Sequence, residues 1–319
     1  MPIRSACTAT ILLSCPLALL LAMPSGCSRR EPTVERTLDF PADRSLGRLR
    51  IVEENPSFLS GSGEVDKGDA RGLLRIAVPT GWQLELRVSA QGATDLSGLS
   101  RLKADDLWGL SFHGTPVADD DLHHLAPLSG LRSLDFSNTK VTGAGFAHLK
   151  GLDELKTLDL TGCAVTDAGL VGLDQFSGLR SLGLSKTAVG DAGLVSLGGL
   201  KELQTLTLYY TKVGDAGMAE VGQLTNLDSL DLGFTQVTDA GLSHVAVLPK
   251  LRWLRLDSTN ISDESLRKLR AVSTLREISL NDTAVTAAAV TAFGQALPQC
   301  AIDANSLDMR KLFPSRYAR

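Results

Sequence analysis

The chain has few aromatic residues and few cysteines for its length of 319 residues. Phe, Trp and Tyr together make up 5% of the composition, and there are five cysteines. Only Cys163 and Cys300 lie beyond the first 27 residues, which excludes a small fold held together by disulfides. The formal net charge is −4, and the absence of a basic excess argues against nucleic acid as a partner.

Long apolar runs, phosphate-binding loops and zinc-ligand spacings are missing as well. The longest apolar stretch, ILLSCPLALLLAM, is interrupted by Pro16 and is short for a membrane span. It follows a single charged residue, Arg4, and precedes PSGC, which is the order of regions in an export signal. We therefore expect residues 1–26 to be a signal peptide and the mature protein to be exported.

The end of this signal resembles a bacterial lipobox. Ser25 and Gly26 precede Cys27, which the resemblance makes the lipidated first residue of the mature protein, whereas Pro24 departs from the usual leucine. The resemblance implies membrane contact through a lipid anchor on Cys27, in the cell envelope, at the outer membrane or facing the periplasm. Residues 27–37 would then form a tether, and simple secretion is the alternative.

A repeat of 24 residues dominates the rest of the chain. Leucine begins eight copies without a slip, and we count offsets from that leucine. Offset 3 is Leu or Ile, offset 5 is Leu or Phe, and offset 10 is Val or Ile. Repeats 1 to 8 cover 107–298, about 60% of the chain, and they begin at residues 107, 131, 155, 179, 203, 227, 251 and 275. A fixed period of this length indicates a solenoid.

The repeat pattern, LxxLxLxxTxVTDAGLxxLxxL, resembles the leucine-rich repeat family at every apolar position. The TDAGL ending is similar to repeats of bacterial proteins and to those attached to F-boxes in ubiquitin ligases. No F-box-like helical segment precedes the repeats, so the ligase role is not carried over. The resemblance implies an α/β solenoid curved like a horseshoe, with parallel strands on the concave side and helices on the convex side.

Elementary geometry leads to the same architecture. Leu158 and Leu160 alternate with Asp159, which predicts a strand with one buried face. Thr166 or Asp167 is placed to cap a following helix. Because neighbouring strands stack at about 4.8 Å and helices need about 8–10 Å, the stack must curve with its strands inside.

The segments on either side of the repeats have a different composition. Residues 38–90 contain LGRLRIVEE, RGLLRIAV and WQLELRV, which predict a β-rich N-terminal subdomain that caps the first repeat. We predict that residues 91–106 form an irregular first repeat ahead of repeat 1. Residues 299–319 are predicted to form a C-terminal cap and tail. Terminal units of solenoids need such caps because their cores are otherwise open to water.

Groups suited to catalysis or metal binding are sparse. His113 lies beside Ser137 and near Asp135, but this nominal triad lacks a strained elbow and an oxyanion hole. Asp135 and Asp159 offer only two carboxylates to a calcium ion. Cys163 occupies offset 8, where the other seven repeats have Thr, which indicates a buried structural thiol. We expect no enzymatic activity, no cofactor and no metal.

The concave face carries small polar residues in most repeats and departs from this in repeats 5 to 7. Two of the three tyrosines and one of the three tryptophans fall in this window. Aromatic residues and Arg dominate interface hot spots, and exposed aromatic clusters mark binding sites. We expect a partner to bind through Tyr209, Tyr210, Asp231, Phe234, Trp253, Arg255 and Asp257.

Together these patterns predict a non-catalytic scaffold of the bacterial cell envelope that binds a protein partner on its concave face. One alternative is a carbohydrate or cell-wall binder that stacks sugars on the same aromatic side chains. A second is a secreted effector resembling F-box-type repeat ligase adaptors. A third is a hydrolase centred on His113.

Overall fold

The computed structural model describes residues 33–53 and 65–304, so the predicted signal peptide (1–26) and Cys27 lie outside the described residues. Short strands recur through this part of the chain. They are β1 Thr33–Asp39, β2 Gly47–Glu53, β3 Val65–Asp69, β4 Leu73–Pro79, β5 Trp82–Val88, β6 Gly109–Ser111, β7 Ser133–Asp135, β8 Thr157–Asp159, β9 Ser181–Gly183, β10 Thr205–Thr207, β11 Ser229–Asp231, β12 Trp253–Arg255, β13 Glu277–Ser279 and β14 Ala301–Asp303.

Twelve of these strands form one sheet in the order β14-β13-β12-β11-β10-β9-β8-β7-β6-β5-β2-β3. From β5 to β14 all neighbours are parallel and in register, so that Leu110, Leu134 and Leu158 stand side by side. The uniform 24-residue period gives each strand the same place in its repeat, which fixes this register. β2 is antiparallel to β5 and β3, and β1 and β4 form a separate antiparallel pair.

Helical segments follow the strands of the repeats. Early repeats use 3₁₀ turns, and later ones use α-helices. The 3₁₀ segments are Gly92–Thr94, Ser97–Arg101, Asp119–Leu125, Ala144–Leu149, Asp167–Leu170, Leu173–Gln175 and Val195–Leu197, and the α-helices are α1 Asp191–Leu194, α2 Asp215–Val221, α3 Leu242–Val245, α4 Asp263–Leu269 and α5 Ala287–Ala296. α5 is the longest of these α-helices because five of its ten residues are Ala and the Thr286 hydroxyl caps it by accepting from the Ala289 amide at 3.2 Å.

The core is a continuous column of apolar side chains between the sheet and the helical side. Residues at offsets 0, 3 and 5, such as Leu203, Leu206 and Leu208, are fully buried in repeat 5. Burial of one such leucine contributes about 1.5–3 kcal/mol, and the burial depends on the repeats on both sides. No helix within residues 33–53 and 65–304 combines the length and the apolar character needed to span a bilayer.

The predicted β-rich N-terminal subdomain, residues 38–90, contains β2 to β5, and a further strand precedes it. β1 begins at Thr33, inside the predicted tether, because it pairs with β4 along its whole length up to Asp39. β5 is the first strand of the parallel part of the sheet, and Leu86 pairs directly with Leu110 of repeat 1. β5, β2 and β3 therefore continue the repeat sheet.

The predicted cap at Thr166 or Asp167 is wrong in this geometry. The Thr166 side chain makes no capping hydrogen bond, and the Asp167 carboxylate accepts from the Gly190 amide of the next repeat at 2.6 Å. The same contact between consecutive repeats recurs from Asp191 to Gly214, Asp215 to Thr238, Asp239 to Ser262 and Asp263 to Thr286. The Asp of TDAGL thus joins neighbouring repeats, because the next turn presents an otherwise unpaired amide.

Candidate binding surface

The residue at offset 7 adopts the left-handed conformation in all eight repeats. This position lies three residues after the end of the short strand, where the chain turns toward the helical side. The residues, with φ between 53° and 72°, are Gly114, Asn138, Gly162, Lys186, Tyr210, Phe234, Ser258 and Asp282. Gly, Asn and Asp tolerate this conformation, whereas larger side chains are disfavoured there.

Tyr210 and Phe234 place aromatic rings at this costly position in adjacent repeats. Both have φ of 57°, and a side chain in this region costs about 1–2 kcal/mol relative to ordinary backbone. Burial of the rings does not offset this conformational free energy, because Tyr210 is 62% exposed and Phe234 is 42% exposed. Folding alone therefore gives no reason for two large rings here.

A third ring completes a cluster that we name the aromatic patch: Tyr209, Tyr210 and Phe234. The centroids of Tyr209 and Phe234 are 5.1 Å apart at 63°, and those of Tyr210 and Phe234 are 6.1 Å apart at 46°. Tyr209 and Tyr210 are 6.4 Å apart at 35°. These separations are in the range of favourable aromatic pairs, so the three rings support one another in an exposed setting.

Arg255 joins the aromatic patch from repeat 7. Its guanidinium carbon lies 5.0 Å from the centroid of the Tyr209 ring, a cation–π contact. Its Nε donates to the Asp257 carboxylate at 2.5 Å, and its Nη1 lies 3.6 Å from the Asp231 carboxylate. Two carboxylates and one ring therefore hold the guanidinium in place.

Asp231 and Asp257 are buried beneath the surface that they were predicted to form. Burial raises the pKa of Asp231 despite the amide of Gly233 and the charge of Arg255. Burial alone would also raise the pKa of Asp257, but hydrogen bonds from Ser279, Arg255 and Asn281 outweigh it and lower that pKa. Both carboxylates act on the surface indirectly, by positioning Arg255.

The other predicted contact, Trp253, stands apart from the aromatic patch. It lies two residues before Arg255 on the same face of β12, where its strand neighbours are Ser229 and Glu277. The structure thus brings together Tyr209, Tyr210, Phe234 and Arg255. The left-handed backbone at offset 7 was not predicted from the sequence. The residues Gly114, Asn138, Gly162 and Asp282 at this offset are nevertheless typical of that conformation.

The nominal catalytic set near repeat 1 has a different connectivity from a hydrolase triad. His113 Nδ1 lies 2.8 Å from the Ser137 hydroxyl, but that hydroxyl donates to Asp135. Asp135 also accepts from Ser111 at 2.8 Å. In a Ser-His-Asp triad the carboxylate holds the imidazole, whereas here it holds the serine. The arrangement closes a turn and orders the strand face.

Both cysteines in the described residues, Cys163 in repeat 3 and Cys300 just after repeat 8, are buried. Cys163 donates its S–H to the Phe136 carbonyl of the preceding repeat at 2.9 Å, and burial raises the pKa of its thiol. Its counterparts Thr187 and Thr211 instead bond the leucine carbonyl three residues back. This protonated, buried thiol fits the predicted structural role. No group of three or more His, Cys, Asp or Glu in the described ranges is arranged to hold a metal ion.

Comparisons with known proteins bear on the fold. Residues 155–173 and 223–246 match the family model described as Leucine Rich repeat. The structure is similar to internalin C2 from Listeria monocytogenes, at 24% identity over 67% of this chain and 92% of that chain, with a TM-score of 0.54. An internalin (inlF) from the same organism is similar at 22% identity over 68% and 74%, with a TM-score of 0.50. No curated protein matches the sequence.

Proposed function

Because its repeats are leucine-rich repeats, we propose that this chain is a non-catalytic scaffold that binds a protein partner through the aromatic patch and Arg255. The observation that carries the proposal is the pair of exposed rings in left-handed backbone, Tyr210 and Phe234. Residues held in costly conformations concentrate at functional sites, where binding compensates for the strain. Both rings are more exposed than folding requires.

The chemistry of the surface suits protein recognition. Tyr, Phe and Arg are enriched in the cores of protein interfaces, and Tyr and Arg are common among the few residues that supply most of the binding energy. Arg255 is restrained by Asp231, Asp257 and the ring of Tyr209, so binding would cost little side-chain entropy. The internalin-like fold is compatible with such a role.

A crosslinking pull-down from native envelope extract tests this function. The wild-type chain is compared with a Tyr210→Asn, Phe234→Asn double variant, which puts at offset 7 the residue that repeat 2 carries as Asn138. A matched control, Val195→Asn, removes an apolar side chain of similar exposure (64%) from the helical side. One partner captured by wild type and by the control but lost in the double variant supports the proposal, and equal capture by all three overturns it.

Carbohydrate is the second candidate for the same rings, because aromatic faces stack on sugars. The three rings are inclined to one another by 35° to 63°, which favours apolar side chains over a flat sugar. Loss of capture after enzymatic removal of glycans from the extract would favour carbohydrate.

We also propose that residues 1–26 direct export and that Cys27 carries the lipid anchor. The supporting observation is the order of apolar run and SGC motif. Fatty-acid labelling of the wild-type chain in its host, with Cys27→Ala as the control, tests the anchor. Label that requires Cys27 supports an envelope location, and unlabelled protein in the medium favours secretion.

A further inference from the structure

A lysine stands next to the aromatic patch in the same costly backbone conformation. Lys186 occupies offset 7 of repeat 4 with φ of 56°, so repeats 4 to 6 carry Lys, Tyr and Phe in sequence at this position. Because the repeats are parallel and in register, the shared conformation gives the Cα–Cβ bonds of Lys186, Tyr210 and Phe234 similar directions. Lys186 is exposed and makes no ion pair within residues 33–53 and 65–304. Its ammonium is therefore available to a partner.

Lys212 adds a second ammonium near Lys186, because its backbone amide donates to the Val189 carbonyl of repeat 4, three residues after Lys186. It lies two residues after Tyr210, is exposed, and has no ion-pair partner in the described part of the chain. The opposite end of the offset-7 row is acidic, because repeat 8 carries the exposed Asp282 there. The row therefore runs from positive charge through the rings to negative charge.

The spacing of this row matches an extended peptide. Neighbouring repeats are about 4.8 Å apart, so the gap between Phe234 and Tyr210 lies about 7 Å from Lys186. Side chains two residues apart on one side of an extended segment are also about 7 Å apart. Asp282 lies four repeats, about 19 Å, from Lys186, which corresponds to about six residues of extended chain.

We propose that the aromatic patch binds an extended segment of its protein partner with a defined charge pattern, a proposal that rests on the function proposed above. A carboxylate of the segment lies over Lys186 and Lys212, and an apolar side chain two residues along lies between Tyr210 and Phe234. A basic residue about four positions further faces Asp282. The rings supply affinity, and the charges set the register and direction of the segment, as charge complementarity does at other interfaces.

Selection from a library of random twelve-residue peptides displayed on phage tests the proposal with the full chain as bait. On wild type we expect enrichment, by about tenfold or more, of sequences with Asp or Glu two residues from an aromatic or aliphatic residue. The Tyr210→Asn, Phe234→Asn variant should lose this enrichment. The Lys186→Glu, Lys212→Glu variant should instead select Lys or Arg at the position of the carboxylate.

A milder pair, Lys186→Ser and Lys212→Asn, guards against misfolding of the charge-reversed chain, because repeat 7 carries Ser258 and Asn260 at these offsets. This pair should lose the acidic preference while the apolar preference stays. Enrichment that requires the rings but shows no charge preference in any variant overturns the charge pattern and leaves the proposed function standing. If no enrichment depends on the rings, both the charge pattern and the proposed function are overturned. If the chain binds to a glycan array and this binding depends on the rings, the surface is assigned to carbohydrate instead.

Discussion

The guanidinium of Arg255 lies over the ring of Tyr209, 5.0 Å from its centroid, although the two residues belong to repeats 7 and 5. Gly233 of the intervening repeat makes this contact feasible. A Cβ at Gly233 would lie 3.1 Å from Tyr209 Cδ2, so a larger residue would press on the ring. Three consecutive repeats thus contribute to one surface. The energetic effects of substitutions in these repeats should therefore not be additive.

Removal of the exposed rings should abolish binding without loss of stability. In the Tyr210→Asn, Phe234→Asn variant, relief of left-handed strain of about 1–2 kcal/mol per residue opposes the loss of ring contacts of about 0.5–1.5 kcal/mol per pair. We expect the free energy of unfolding from urea titration to stay within about 0.5 kcal/mol of wild type or to rise. A fall of several kcal/mol would show that the rings serve the fold.

Arg255 should stabilise the folded chain, because it neutralises two buried carboxylates. Removing one partner of a buried pair costs about 3–5 kcal/mol, and since the Arg255 side chain is 37% exposed we expect about 2 kcal/mol for Arg255→Gln at pH 7. The pKa of Asp231 is already raised by burial and should rise further in the variant. A group with a raised folded pKa gives stability that is present below its unfolded pKa and lost as pH rises, so the deficit should shrink toward pH 4.

Arg252→Gln is the matched control for this experiment. Arg252 is exposed and its carboxylate partner, Asp228, lies at 3.7 Å on the surface. Such pairs contribute about 0–1 kcal/mol, so this change should be small at every pH. Equal effects of the two substitutions in urea titrations at pH 4 and pH 7 would contradict the role assigned to Arg255.

The Asp at offset 12 should contribute to the coupling between repeats. Asp239 accepts from the Ser262 amide at 2.9 Å, from its hydroxyl at 2.5 Å and from Ser265. We expect Asp239→Ala to cost about 2 kcal/mol, since each hydrogen bond to a charged group contributes about 1.5–3 kcal/mol and the site is partly open to water. Asp174→Ala, at an exposed position, should cost less than about 0.5 kcal/mol in the same urea titration.

This coupling should depend on pH in the acid range. Burial alone would raise the pKa of Asp239, but hydrogen bonds from Ser262 and Ser265 outweigh it and lower the pKa. A lowered folded pKa gives stability that is present above the unfolded pKa of about 4 and lost as pH falls through the folded value. The gap between wild type and Asp239→Ala should therefore narrow below about pH 4. A gap that is constant from pH 7 to pH 2 would rule out the carboxylate as its source.

Cys163 should resist alkylation as long as the chain is folded. Its thiol is buried, its pKa is raised by that burial, and its S–H is bonded to the Phe136 carbonyl. We expect iodoacetamide at pH 8 to leave the peptide containing Cys163 unmodified by mass spectrometry, and to modify it fully in urea. Rapid labelling of the native chain would contradict the structural role.

The sequence alone determined the repeat, its register and its core. A period of 24 residues gives every strand the same phase, so Leu134, Leu158 and Leu182 had to stand in one row once the strands paired. Comparison of equivalent positions in the eight repeats also predicted correctly that Cys163 lies in the interior. Tyr210, Phe234 and Arg255 could be singled out because they depart from the small polar residues of the other repeats.

Only the tertiary structure decided how these residues act. The left-handed backbone at Tyr210 and Phe234 results from a turn that all repeats must make. The backbone preferences of Tyr and Phe alone would not predict this conformation. Asp167 reaches forward to Gly190 because the next repeat places an amide within its range, a contact that no single repeat contains. Asp231 lies buried beneath Arg255, although alternation along the strand predicted an exposed side chain. In each case the outcome depends on atoms about 24 or more residues away, which the stacking of repeats brings together.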